Sequence, residues 1–247
     1  MAYLKYFNNE SISLARGLMR NADFEHKFGA VPAMSVNTTG TVWDVNDELY
    51  PWGALETANN VQVATVNAGD NLKEITIVGL DDDYNEQSEV LVANSSSAVA
   101  STNTYRRIFR AFVGNGGTEN VANINITNGG STTIARITAG LGQTLMAVYT
   151  VPAGYTAYLM HGTASAQAGA DATGFMFVRY FGQNSFRVGH TFEVDGAGGQ
   201  YFYPFATPIP IPEKSDIDVR VTTRSNNGRY TAAFCMILIE NDGDGLR

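Results

Sequence analysis

Apolar and polar residues alternate, or run in short apolar blocks, along most of the chain, and breaks rich in Gly, Asn, Asp and Ser separate the blocks. Blocks of this length and period describe strands, whereas a helix would repeat its apolar positions every three or four residues. From Val61 the pattern predicts strands over Val61–Val66, Glu74–Val78, Ser88–Val92, Tyr105–Val113, Val121–Ile126 and Thr133–Ile137. The densest apolar stretch follows, Thr144–Val151 and Tyr155–Thr163. It reads as a β-hairpin around Pro152-Ala153-Gly154, where Pro fixes φ and Gly accepts a positive φ. Further strands are predicted over Phe175–Phe181, Phe186–Val194, Tyr201–Phe205, Ile209–Ile211, Ile217–Thr222 and Ala232–Ile239. Together with the hairpin they reach the strand count of a jelly roll. Pro204, Pro208, Pro210 and Pro212 cannot donate to a central ladder, so their segment belongs at a sheet edge or a bridging corner. Ile217-Asp218-Val219-Arg220-Val221 alternates strictly, which gives one face to the core and the other to water or a partner.

The expected fold is therefore all-β, with two antiparallel β-sandwich or jelly-roll-like domains over residues 36–140 and 141–247. An extended N-terminal arm, residues 1–35, precedes them, with a short amphipathic helix over Ser11–Arg20. In the arm Phe24 and Phe28 interleave with Glu25, His26 and Lys27. Such a segment suits packing on a neighbouring subunit better than building a core of its own. Thr41–Val45 reads as a strand, and Trp43, Tyr50 and Trp52 close by are large rings with a polar handle. Rings of that kind serve either as anchors at subunit contacts or as core residues under a loop.

The net charge is −8, from 16 Lys and Arg against 24 Asp and Glu, and it disfavours non-specific binding to nucleic acid or to anionic membranes. No stretch is apolar for long enough to span a bilayer, and the opening MAYLKYFNNES lacks a secretory core. The expected site of synthesis and assembly is a cytoplasm. Cys235 is the sole cysteine and lies in an apolar strand pattern, as a buried small hydrophobe does. His26, His161 and His190 show no zinc spacing, and neither a Gly-x-Ser-x-Gly elbow nor a phosphate-binding Gly motif occurs. No catalytic residue, metal ligand or cofactor is expected, and the chain reads as a non-enzyme. Asp81-Asp82-Asp83-Tyr84-Asn85-Glu86 lacks the EF-loop Gly and Glu and reads as a solvated turn, and Asn241–Gly245 as an acidic tail. Arg106, Arg107 and Arg110 form the one basic cluster. On a single strand Arg106 and Arg110 would share a face able to meet an acidic partner, with internal pairing to the surplus carboxylates as the plainer alternative.

Six stretches carry a family resemblance: His26-Lys27-Phe28-Gly29, TGTVWDVNDELYPW, ITIVGLDDDYNEQSEVL, TNTYRRIFRAFV, QTLMAVYTVPAGYTAYL and PIPIPEKSDIDVRV. Together they resemble a family of virion structural proteins of tailed bacteriophages, especially those of marine and cyanobacterial hosts. The resemblance implies a place on the virion as a head decoration or cement subunit, or as a neck or tail adaptor or fibre anchor. It implies the major capsid protein, or neck and tail proteins, as partners, together with copies of the chain itself, by analogy as a homotrimer. Phe24, His26, Phe28, Trp43, Tyr50, Trp52, Arg106 and Arg110 are the residues expected at these contacts. A β-sandwich carbohydrate-binding module or glycan-degrading enzyme is the competing reading from another class.

Overall fold

The computed structural model describes residues 10–114, 118–129, 131–197 and 199–241; the expected acidic tail lies outside them after Asn241. Within these residues the chain is all-β apart from 3-10 turns and one short helix, α1 (Glu10–Ala15). The helix stops near Gly17, whose φ is +64°, so it covers only the first part of the predicted Ser11–Arg20 stretch.

Two sheets, of four and five strands, form a sandwich. One runs in the order β1 (Ala22–Met34), β16 (Gly228–Glu240), β11 (Tyr155–Ala166), β14 (Gln200–Ile211). The other runs β10 (Val148–Thr150), β15 (Asp216–Thr223), β12 (Ala172–Arg179), β13 (Arg187–Val194), with β2 (Thr39–Thr41) also paired to β15. If β1 is counted as the first strand and β10 to β16 as the next seven, the orders become 1-8-3-6 and 2-7-4-5, the wrapped order of a jelly roll. All pairings are antiparallel. The first strand of the roll is thus supplied by the segment expected to pack as an arm on a neighbouring subunit. From Ala22 to Val31 it pairs residue by residue with β16, because Lys27, Gly29 and Val31 point inward and leave Phe24, His26 and Phe28 outside. Gly29 lets this strand lie against the chain beneath it. A Cβ at that position would overlap the backbone carbonyl oxygen of Val42 and the amide nitrogen of Ala147.

Between β2 and β10 the chain leaves the roll and builds a second, smaller sandwich. One of its sheets is β6 (Val99–Tyr105), β3 (Asn59–Ala64), β8 (Ile124–Asn128), β9 (Thr132–Ile137). The other is β5 (Glu86–Val92), β4 (Glu74–Leu80), β7 (Arg107–Val113). Strand pairing therefore groups residues 22–41 with 148–240 and sets 59–137 apart, whereas the sequence suggested a break near 140. One core centres on Met34, Tyr149, Leu159, Tyr230 and Phe234, the other on Trp43, Val61, Ile75, Tyr105 and Ile126.

The predicted hairpin is not one. β10 pairs with β15 and β11 with β16, in opposite sheets, so Pro152-Ala153-Gly154 is a corner that carries the chain across the sandwich. Gly154 has φ +79°, and the Tyr155 amide donates to the Pro152 carbonyl at 3.4 Å. Apolar runs on both sides of a tight turn fit either arrangement; here Tyr149, Val151, Ala157 and Leu159 line one shared interior from two layers. The proline-rich segment is, as expected, an edge: β14 has a neighbour on only one side, where it pairs with β11. β6 has no counterpart among the strands expected from the sequence; its Ser101 and Tyr105 are buried where it pairs with β3.

Candidate functional site

The outward face of the four-stranded sheet gathers three of the residues singled out in the sequence. Register places Phe24, Ile237, Tyr158 and Pro210 side by side across the sheet. His26, Cys235, His161 and Pro204 form the next row, and Phe28, Ala233, Thr163 and Phe202 the one after. Phe24 is 44% exposed and Phe202 58%. The His26 and Phe28 rings lie 5.3 Å apart. None of these side chains is a carboxylate, a lysine or an arginine. Burial, then Arg110, His161 and Lys27, push the His26 imidazole below its ordinary pKa, which favours its neutral form on this face. Helix α1 covers part of the face: Leu14 is buried and closes a groove of about 320 Å³ with Phe24, Met160, His161 and Ile237.

Trp43, Tyr50 and Trp52 are not surface anchors. All three are buried, and their polar handles are used inside the chain. Trp43 Nε1 donates to the Glu48 carbonyl at 3.2 Å, Tyr50 Oη to the Ile108 carbonyl at 3.3 Å, and Trp52 Nε1 to Asp218 Oδ2 at 2.9 Å. Their rings pack edge to face, 5.2 Å and 4.7 Å apart, as part of the core of the smaller sandwich. Arg106 and Arg110 do not share a basic face either. Arg106 precedes β7 and pairs with Asp82, while Arg110 reaches Glu25 on β1 at 2.9 Å. Internal pairing accounts for both.

A buried ion network at the seam between the sandwiches went unforeseen. Arg107 Nε and Nη2 grip the two Asp216 oxygens at 2.9 Å and 3.2 Å. Arg179 Nη2 donates to Asp216 Oδ2 at 2.6 Å, and Thr150 Oγ1 donates to Oδ1 at 2.6 Å. Asp218, fully buried, accepts from Thr41 Oγ1 at 2.9 Å, from Trp52 Nε1, and from Arg220 Nη2 at 2.8 Å. Burial works against the Arg107 charge, yet Asp216 more than offsets it and the guanidinium is held above its ordinary value. The polar face of Ile217–Val221, expected to meet water or a partner, is therefore covered by the chain's own second sandwich. Strict alternation reveals that a strand has two faces; it is silent on what covers each of them.

Asp81 organises its own turn, its Oδ1 accepting from the Asp83 amide at 2.9 Å and the Asn85 amide at 2.8 Å. Among the described residues, no group of three or more His, Cys, Asp or Glu is arranged to hold a metal ion, and no helix is long and apolar enough to cross a membrane.

No protein-family model and no curated protein sequence matches the chain. Among solved structures, it is similar to the cowpea mosaic virus top component, a naturally occurring empty particle. The identity there is 10%, the match covers 75% of this chain and 83% of the other, and the TM-score is 0.23. It is likewise similar to the infectious bursal disease virus T13 particle, at 9% identity, 88% and 69% coverage and TM-score 0.27. A subviral particle of the same virus matches at 10% identity, 92% and 74% coverage and TM-score 0.23. The likeness is weak and lies with virus particle proteins; no specific phage family is matched, and at TM-scores this low it carries no argument about this chain.

Proposed function

We propose that the chain is a non-enzymatic virion structural protein, a phage head decoration or cement subunit that works by gripping its neighbours. The observation that supports this is the set of three rows on the outer face of the four-stranded sheet that carry no carboxylate, lysine or arginine, with Phe24 and Phe202 exposed on opposite edge strands. The chain carries a net charge of −8, so two copies repel each other over most of their surface. Rows of side chains without acids, lysines or arginines, with aromatic rings exposed to water, are where a second copy or a shell protein can approach and bury apolar area. The resemblance of the six sequence stretches supplies the phage context, with the major capsid protein and copies of the chain as partners in a homotrimer.

Quantitative mass spectrometry of purified particles tests the reading. Copy numbers on the order of hundreds per particle are expected for a subunit that decorates a shell. About six to eighteen copies would instead place the protein at the neck or tail, and absence from particles would overturn the virion role.

A further inference from the structure

A second feature lies away from the sheet face, where the β12–β13 loop and the turn before β15 open a cleft of about 520 Å³. That volume is within the ~300–1,000 Å³ usual for small-molecule sites. Its floor is the outer edge of the ion network, and most of its cations are already committed. Arg106 is held by Asp82 and the Glu56 carbonyl, Arg107 by Asp216, and Arg179 by Asp216 and, at 2.9 Å, by Glu56.

Lys214 is different. Among the described residues no carboxylate lies within ion-pair distance of it. Its ammonium stands over the rings of Tyr84, at 5.8 Å, and Phe181, at 5.3 Å. The backbone is held at φ +60°, a left-handed conformation unusual for lysine, and the Lys214 amide donates to the Val151 carbonyl at 2.7 Å. Phe181 is 59% exposed and forms an aromatic wall, edge to face with Tyr84 at 5.7 Å. Gln183 and Asn184 supply amides at the rim. Four bases, Arg106, Arg107, Arg179 and Lys214, thus face three acids, Asp82, Asp216 and Glu56, which leaves one positive charge in excess within an acidic chain.

We propose that this cleft binds a sugar carrying a single carboxylate, a hexuronic acid unit of an acidic polysaccharide. The carboxylate accepts from the Lys214 ammonium, the apolar face of the pyranose lies on Phe181, and the hydroxyls donate to Glu56 and accept from Gln183 and Asn184. A phosphate dianion fits less well, because the Glu56 and Asp216 carboxylates share the cleft. An acidic peptide would find one uncommitted cation and no use for the aromatic wall.

Titration calorimetry on the full chain, with D-galacturonate, D-galactose, acetate, inorganic phosphate and tetraglutamate as probes, tests the assignment. Galacturonate should bind about tenfold or more tighter than galactose or acetate, the worth of one charge-assisted hydrogen bond combined with ring stacking. Lys214→Asn, which accepts a left-handed backbone, should erase the preference over galactose at unchanged thermal unfolding. Phe181→Ala, in an exposed loop, should weaken galacturonate and leave acetate as it was, and this variant decides the matter should Lys214→Asn not fold. Equal binding of galacturonate and galactose, tighter binding of phosphate or tetraglutamate, no binding, or a preference that survives both substitutions would each overturn the proposal.

Discussion

Asp218→Ala should lower the unfolding free energy by about 3–5 kcal/mol, the usual result of removing one partner from a buried ion pair. The carboxylate is fully buried and accepts from Thr41, Trp52 and Arg220. Truncation leaves a mostly buried guanidinium, an indole N–H and a hydroxyl without the acceptor they share. Arg220 is further fixed between the Phe177 and Phe186 rings, at 4.4 Å and 4.7 Å, so it cannot swing out to solvent without breaking those contacts. The three donors come from β2, from the turn after Tyr50 and from β15, so their loss loosens the seam between the sandwiches. Urea unfolding at constant m-value reads the effect. A loss below about 1 kcal/mol would mean that the network is exposed or redundant.

Lys27 should make the fold more stable in alkali than at neutrality. The side chain is buried between the sheets, where its ammonium donates to the Phe109 carbonyl and stands 5.4 Å from the Phe109 ring. Burial, opposed by Glu25 and aided by Arg110, drives its pKa from 10.5 down to about 7. Between these two values the unfolded chain holds a proton that the folded chain has lost. The contribution is therefore fully present above about pH 10.5, falls as pH drops towards 7, and changes little below that. Lys27→Met removes this dependence and should raise stability at pH 7 by about 1–4 kcal/mol, since an apolar side chain of similar length replaces a buried charge. The variant's advantage should shrink as pH rises from 7 to 10. An advantage independent of pH would show that Lys27 does not titrate in that range.

The fold class was legible because its strands follow period-two alternation, and most predicted strands lie within a few residues of the observed ones. The partition of the chain was not. β1 carries Phe24 and Phe28 on one face and Val31 on the other, and Lys27 at an inward position and Pro32 near its end disguise it as an arm. Burial lowers the pKa of that lysine, which no local pattern announces. The corner at Pro152–Gly154 carries the same residues as a hairpin turn, and only the identity of each strand's neighbour separates the two. Alternation shows that Phe24, His26 and Phe28 share one face, but polarity alone would turn that face inward and Lys27 outward, the reverse of what is observed. Trp43, Tyr50 and Trp52 were ambiguous because a polar handle serves a wet boundary and a buried hydrogen bond equally well. Asp216 and Asp218 owe their setting to Arg107 and Trp52, more than a hundred residues away along the chain, and Lys214 owes its aromatic cage to Tyr84 and Phe181.

The account rests on the outer sheet face being the surface by which the chain joins its neighbours. Sedimentation velocity of the purified protein, beside a Phe24→Glu, Phe202→Glu double variant, tests this most directly. Both side chains are exposed and on opposite edges, so the substitutions spare the core. The wild type should sediment as an oligomer and the variant as a monomer with unchanged thermal unfolding. A wild type that is monomeric at every concentration, or a variant that assembles as the wild type does, would contradict it.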